Sequence, residues 1–275
     1  MKSILQKIAI AVALAATLAA PTVQAGAIRD AGLFTTVLPA NDDGSTGSVG
    51  LGFSINFYGL LNQSSVFVNN NGNITFNAPL GQYTPGGILT STTPIIAPFF
   101  ADVDTRATGS SPVRYGQATI GGRSVFGVNW INVGVFSQQN IFNSFQLIIT
   151  NRSDIAVGDF DFEYNYDSIL WEAGQLSGAP AGGLGGRSAA VGYTDGGSTD
   201  FELTGSNVNG ALVNGGPNAL ISNSLNSNVA GRYILNVRLS TIAPPTGTVP
   251  EPGSLALVGL ALAGVAVVLR RRLRA

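Results

Sequence analysis

The chain contains no cysteine and no histidine among its 275 residues, and lysine occurs only at Lys2 and Lys7. Without cysteine there is neither a disulfide framework nor a thiol nucleophile, so the fold must be held by its core alone. Without histidine the commonest general base and the commonest metal ligand are both missing. Serine-triad, cysteine-protease and histidine-ligated zinc chemistries are therefore excluded in their usual forms. Charge is sparse, at 11% of residues. Between Gly26 and Val249, eight arginines face fourteen aspartates and glutamates, a net charge of −6. Such a weakly acidic, lysine-free stretch argues against binding nucleic acid or anionic lipid, which need clustered cations. Low charge with abundant glycine, serine and asparagine suits an extracellular β-rich protein.

The first 25 residues read as a secretory signal. Lys2 and Lys7 form a short positive region, residues 8–20 are apolar and uncharged, and Val23-Gln24-Ala25 presents small residues where a signal peptidase cuts. Cleavage is expected after Ala25. About 225 residues then remain before the tail, enough to bury a core without cross-links.

From Leu51 to Arg238 the hydrophobic pattern has period two. Phe126, Val128 and Trp130 alternate with Val125, Gly127 and Asn129; Phe145, Leu147 and Ile149 alternate with Ser144, Gln146 and Ile148. Phe160, Phe162 and Tyr164 alternate with Asp159, Asp161 and Glu163, the clearest strand with one buried face. No segment of this region holds a helical period for three turns, so antiparallel strands should pack as a sandwich or partly closed barrel. Residues 65–69 and 73–77 flank Asn71-Gly72, predicting a hairpin with a type I′ turn, with Asn70 and Asn73 bonding loop backbone. Pro98 in the apolar run 94–100 predicts an edge strand or a strand start. The glycine-rich stretch 173–187 and the Asn/Gly/Ser-rich stretch 206–228 read as loops, the second a long surface excursion before a last strand at 232–239. The domain is placed at 26–241 and a proline-containing linker at 242–249.

Several ordered blocks resemble the nidogen-like (NIDO) extracellular domain. They are Val66-Phe-Val-Asn-Asn-Asn-Gly-Asn-Ile-Thr-Phe76, Pro94-Ile-Ile-Ala-Pro-Phe-Phe-Ala-Asp-Val-Asp-Thr-Arg106, Val128-Asn-Trp130 and Asn143-Ser-Phe-Gln-Leu-Ile-Ile149, then Phe160-Asp-Phe-Glu-Tyr-Asn-Tyr166, Ile169-Leu-Trp171-Glu172 and Ala189-Ala-Val-Gly-Tyr193. The resemblance runs from Leu51 to Phe201 and implies a β-sandwich-like adhesion module with no catalytic activity, of a kind found in animal matrix proteins. The disulfide-rich companion modules of those proteins are missing here, so their partners are not carried over.

The most conspicuous polar cluster is Asp102-Val-Asp104-Thr-Arg106. On a strand all three charged side chains share a face. Asp102 and Asp104 could contribute to a Ca²⁺ site, although two carboxylates fall short of the six to eight oxygens the ion takes. The competing expectation is that Arg106 pairs with one carboxylate and fixes a turn. Asp159, Asp161 and Glu163 could mimic a glycosidase pair, but any polar strand gives that spacing, and a solvated outer face is expected. Trp130 belongs with the apolar face, whereas Trp171, beside Glu172 and a loop, is expected to offer a surface contact, as in sugar stacking. Asn62, Asn73 and Asn151 head Asn-x-Ser/Thr triplets of the kind that arise by chance in such a composition.

The tail at 250–275 follows Val249 with Pro250-Glu251-Pro252, continues through 17 uncharged residues at 253–269, and closes on Arg270, Arg271, Arg272 and Arg274. At 1.5 Å per residue the apolar stretch spans about 25 Å as a helix, and snorkelling arginines could complete a bilayer crossing of about 30 Å. The arginines place the tail's end in the cytoplasm and the β domain outside. Together these elements resemble the PEP-CTERM sorting signal of Gram-negative bacteria. The resemblance implies recognition by exosortase, a membrane transpeptidase, with cleavage near Pro250 and release or transfer to the surface, often alongside exopolysaccharide and biofilm. Expected partners are signal peptidase, exosortase, the membrane through the C-terminal helix, and a polysaccharide or protein of the matrix. The leading expectation is a non-enzymatic adhesion or matrix protein with no required cofactor, passing from inner membrane to surface. The alternatives are a carbohydrate-active enzyme using Asp102, Asp104 or Glu172, and a Ca²⁺-dependent carbohydrate-binding module.

Overall fold

A computed structural model describes residues 26–137 and 139–238, with the backbone of 241–242. The signal segment 1–25, the linker beyond residue 242, the processing residues 249–252 and the apolar span 253–269 lie outside the described residues. Among the described residues no helix is long and apolar enough to cross a membrane.

Among the described residues, fourteen strands carry the domain. They are β1 (Thr36–Val37), β2 (Val49–Phe57), β3 (Leu60–Asn69), β4 (Asn73–Thr75), β5 (Ile95–Phe100), β6 (Val103–Asp104) and β7 (Arg114–Ile120), followed by β8 (Arg123–Val135), β9 (Gln139–Asn151), β10 (Phe160–Ser168), β11 (Ala190–Thr194), β12 (Asp200–Glu202), β13 (Arg232–Arg238) and β14 (Thr241–Ile242). They form two antiparallel sheets. One is ordered β1-β7-β8-β9-β10-β13-β14, with β6 on β8, and the other β12-β11-β5-β4-β3-β2.

The period-two pattern sets the register of the larger sheet. Phe126, Ile149, Phe162 and Leu235 pair across four strands, as do Val128, Leu147, Tyr164 and Tyr233. Every one of these side chains is buried. Facing them are residues of the smaller sheet and its flanks, with Phe99 against Phe145 at 5.2 Å and Tyr193 edge-on to Phe162 at 5.6 Å. Two tyrosines pin the layers together. Tyr164 Oη donates to the Gly192 carbonyl at 2.7 Å and Tyr166 Oη to the Pro98 carbonyl at 2.6 Å. Burial pushes both phenols well above their ordinary range, so they remain donors at any physiological pH.

Three expectations are corrected. First, β5 is central, paired with β4 and β11, and all six of its residues are buried. Pro98 is tolerated because the pairing with β11 shifts register there, between Ala97↔Gly192 and Phe100↔Ala190, where no ladder donor is required. Second, the 206–228 stretch is no mere surface excursion, since Leu212 and Leu220 are fully buried in the main core. Third, the outer face of β8–β10 is largely covered by residues 26–38. Phe34 packs on Val125 and Ile148, and a Cβ at Gly127 would fall 2.1 Å from its ring. Arg29 forms a two-pronged ion pair with Glu163, and Asn129 bonds the Ala31 carbonyl.

Candidate functional site

The polar centre of the molecule is the turn from β3 to β4. Asn69, Asn70, Asn71 and Asn73 are all buried there, each as a hydrogen-bonding hub. Asn70 Nδ2 donates to the carbonyls of Asp42 and Val103, and Asn73 Nδ2 to that of Asn71. Trp130 Nε1 donates to the Asn70 carbonyl at 3.0 Å, anchoring the turn to the opposite sheet. The pairing Asn69↔Asn73 leaves a three-residue loop in which Gly72 alone has positive φ, +73°, so the expected two-residue type I′ turn is not formed.

This turn holds two segments against each other. Asn71 Oδ1 accepts from Val103 N, while its Nδ2 donates to Asp43 Oδ1, both at 2.9 Å. The start of β6 is thereby fastened to the Asp42-Asp43 segment, which the sequence reading did not single out. The only signal there was an acidic pair ahead of Gly44, upstream of the first clear alternation.

The Asp102/Asp104 pair separates in the structure. Asp104 is fully buried and bound by Arg106, whose Nε meets Oδ1 at 2.9 Å and whose Nη2 meets Oδ2 at 2.8 Å. The same Nη2 reaches Asp42 Oδ2 at 2.8 Å. Asp104 is therefore neutralised within a turn, as the pairing expectation had it. Asp102 instead gathers with Asp42 and Asp43, one oxygen of each lying within 4.8 Å of the others. Asp102 is 2% exposed and its Oδ2 has no hydrogen-bond partner. Burial, reinforced by Asp42, Asp43 and Asp104, pushes its carboxyl up to about 7. Asp42 rises to about 6 through burial, then Asp104 and Asp43, with Arg106 pulling the other way.

Trp171 and Glu172 are both fully buried, so the expected surface contact at Trp171 is corrected. The glycine-rich loop passes directly over it, and a Cβ at Gly183 would fall 2.4 Å from Trp171 Cβ. Glu172 accepts from Gly210 N at 2.7 Å and Leu212 N at 2.8 Å, fixing the loop that carries Leu212 into the core. Asp104 and Glu172, nominated for carbohydrate chemistry, thus both bind the protein itself. Of the carboxylate row on β10, Glu163 is held by Arg29, and Asp161 lies between Arg152 and Arg238.

The nidogen-like domain family matches residues 64–238, and the PEP-CTERM protein-sorting motif matches residues 248–272. Among curated proteins, human alpha-tectorin is 32% identical over 237 residues, which is 77% of this chain and 10% of that protein. Mouse alpha-tectorin is 31% identical over the same shares, and chicken alpha-tectorin is 29% identical over 76% of the chain. The chain thus spans about a tenth of the length of these relatives. No solved structure matches it at a significant level.

Proposed function

The chain belongs to the nidogen-like domain family and carries a PEP-CTERM protein-sorting motif, and from that premise we propose that it is a non-enzymatic, exported adhesion or matrix protein. The observation that carries the reading is the succession of the two in one chain, a β domain followed directly by a sorting motif. The motif implies processing by exosortase. The mature protein starts at Gly26, is held briefly by the apolar span 253–269, and is cut near Pro250. Its β surface then engages a polysaccharide or protein of the extracellular matrix.

The domain's architecture supports this reading. Its conspicuous carboxylates, Asp104 and Glu172, serve internal ion pairing and loop fixation. The test is mass spectrometry of the protein recovered from the surface of its native host. An N-terminus at Gly26 and a C-terminus near Pro250 are expected. Recovery only of chains that retain Arg270, Arg271 and Arg272 would overturn the processing. Turnover of host polysaccharide by the purified protein would overturn the non-enzymatic role.

A further inference from the structure

We propose that Asp42, Asp43 and Asp102 form a calcium-binding site where the segment ahead of β2 meets the turn from β5 to β6. One carboxylate oxygen of each lies within 4.8 Å of the other two. Calcium–oxygen distances of about 2.3–2.6 Å place ligands on opposite sides of the ion about 4.6–5.2 Å apart, so the three oxygens fit around one ion.

A separate observation points to a ligand. Asp102, a residue 2% exposed, sends one carboxylate oxygen into this cluster, and its buried Oδ2 has no hydrogen-bond partner. Buried polar atoms are almost always paired, and an orphaned carboxylate oxygen beside two further carboxylates is the reverse of that rule. Asp42 Oδ1 is a second buried oxygen without a hydrogen bond. Arg106 does not serve these oxygens, since it is engaged with Asp104 and with Asp42 Oδ2. With every carboxylate ionised, Asp42, Asp43, Asp102 and Asp104 against Arg106 carry a formal charge of −3.

The surroundings give the cluster an inner wall and an outer mouth. Gly174 lies against Asp102, where a Cβ would fall 2.1 Å from Oδ2, so the glycine-rich loop closes the inner side. Asn71 steadies Asp43 from beneath, and Asp43 itself is exposed, giving an ion access and room for water ligands. The donors are all oxygen, which selects a hard cation. Calcium accepts an irregular, partly hydrated oxygen shell, whereas magnesium demands near-octahedral ligands at about 2.0–2.1 Å. The site stands independently of the sorting and adhesion reading.

The full-length protein, stripped with EDTA, is titrated with CaCl₂ by calorimetry and by thermal melting. Expected are one ion per chain, a dissociation constant on the order of 10⁻⁴ to 10⁻³ M as in extracellular calcium modules, and a raised melting temperature. Asp102→Asn keeps the shape and removes the charge. It is expected to weaken calcium binding about tenfold or more while melting, in EDTA, no lower than the wild type. Asp43→Asn, at the exposed mouth, should weaken binding less and decides the matter if Asp102→Asn does not fold. Absence of both heat and a melting shift at about 10 mM calcium would overturn the proposal, as would variants that bind as tightly as the wild type. Equal affinity for magnesium would overturn the assignment to calcium.

Discussion

Gly72 turns at φ +73° with its α-carbon pressed against β5, and a Cβ there would lie 1.8 Å from the Phe99 carbonyl oxygen. The left-handed conformation costs a non-glycine residue about 1–2 kcal/mol, and forcing a methyl into a packed contact adds about 1–3 kcal/mol. Gly72→Ala is therefore expected to lose about 2–5 kcal/mol of stability, read as a lower urea midpoint at unchanged slope. A loss within about 0.5 kcal/mol would show that the turn relaxes at little cost. Asn71-Gly72 was legible as a turn because Asn-Gly is a strong local signal. Its loop length was not, because the register follows from the buried Asn69–Asn73 bond and the Trp130 anchor, both set by tertiary packing. Trp171 misled for a related reason. A tryptophan beside a run of glycines looks exposed, yet one of them, Gly183, lets the loop pass directly against its side chain.

At the scale of elements, the segment at residues 26–38 that covers the large sheet behaves as an added layer. Phe34, Val125 and Ile148 form a small cluster separate from the main core, and the socket for Phe34 exists because residue 127 is glycine. Truncating a buried phenylalanine costs about 3–5 kcal/mol, which here falls on the covering segment before it reaches the sandwich. Phe34→Ala is expected to expose the amides of Arg29 and Leu38 to hydrogen exchange while those of β8–β10 stay protected. Uniform loss of protection would show that the segment and the sandwich unfold together. Strands β8, β9 and β10 were legible in the sequence because one face alternates cleanly through 126–130, 145–149 and 160–164. The covering segment was not, since Gly127 reads as a gap rather than a socket. Pro98 was misjudged because the edge-strand rule assumes an unbroken ladder, whereas a register shift removes the need for its missing donor.

For the molecule as a whole, the acidic cluster sets how stability responds to pH. Asp42 and Asp102 have folded-state values raised to about 6 and about 7 from an unfolded value of 3.8. A raised carboxyl binds more protons folded than unfolded, so its stabilising contribution is full below about pH 4 and is lost as pH rises to about 7. Asp43, Asp104 and Arg106 face the same cluster, and Arg106 only partly offsets the repulsion at Asp42. Asp154, lowered to about 2 by Arg123 and Arg152, acts in the opposite sense but over a lower window, between about pH 2 and 4, and at an exposed position where screening weakens it. With EDTA present, the melting temperature should therefore fall as pH rises from 5 to 8, opposite to the trend that paired carboxylates impose. Asp102→Asn should flatten that fall, because it removes the group with the higher folded value. Saturating calcium should flatten it in the wild type, since a bound cation favours the charged carboxylates and returns their folded values toward or below 3.8. Calorimetric scans across that range, with EDTA and with CaCl₂, separate the two effects. A wild-type melting temperature that holds steady or rises in EDTA would mean that the cluster accommodates its charges without a cation.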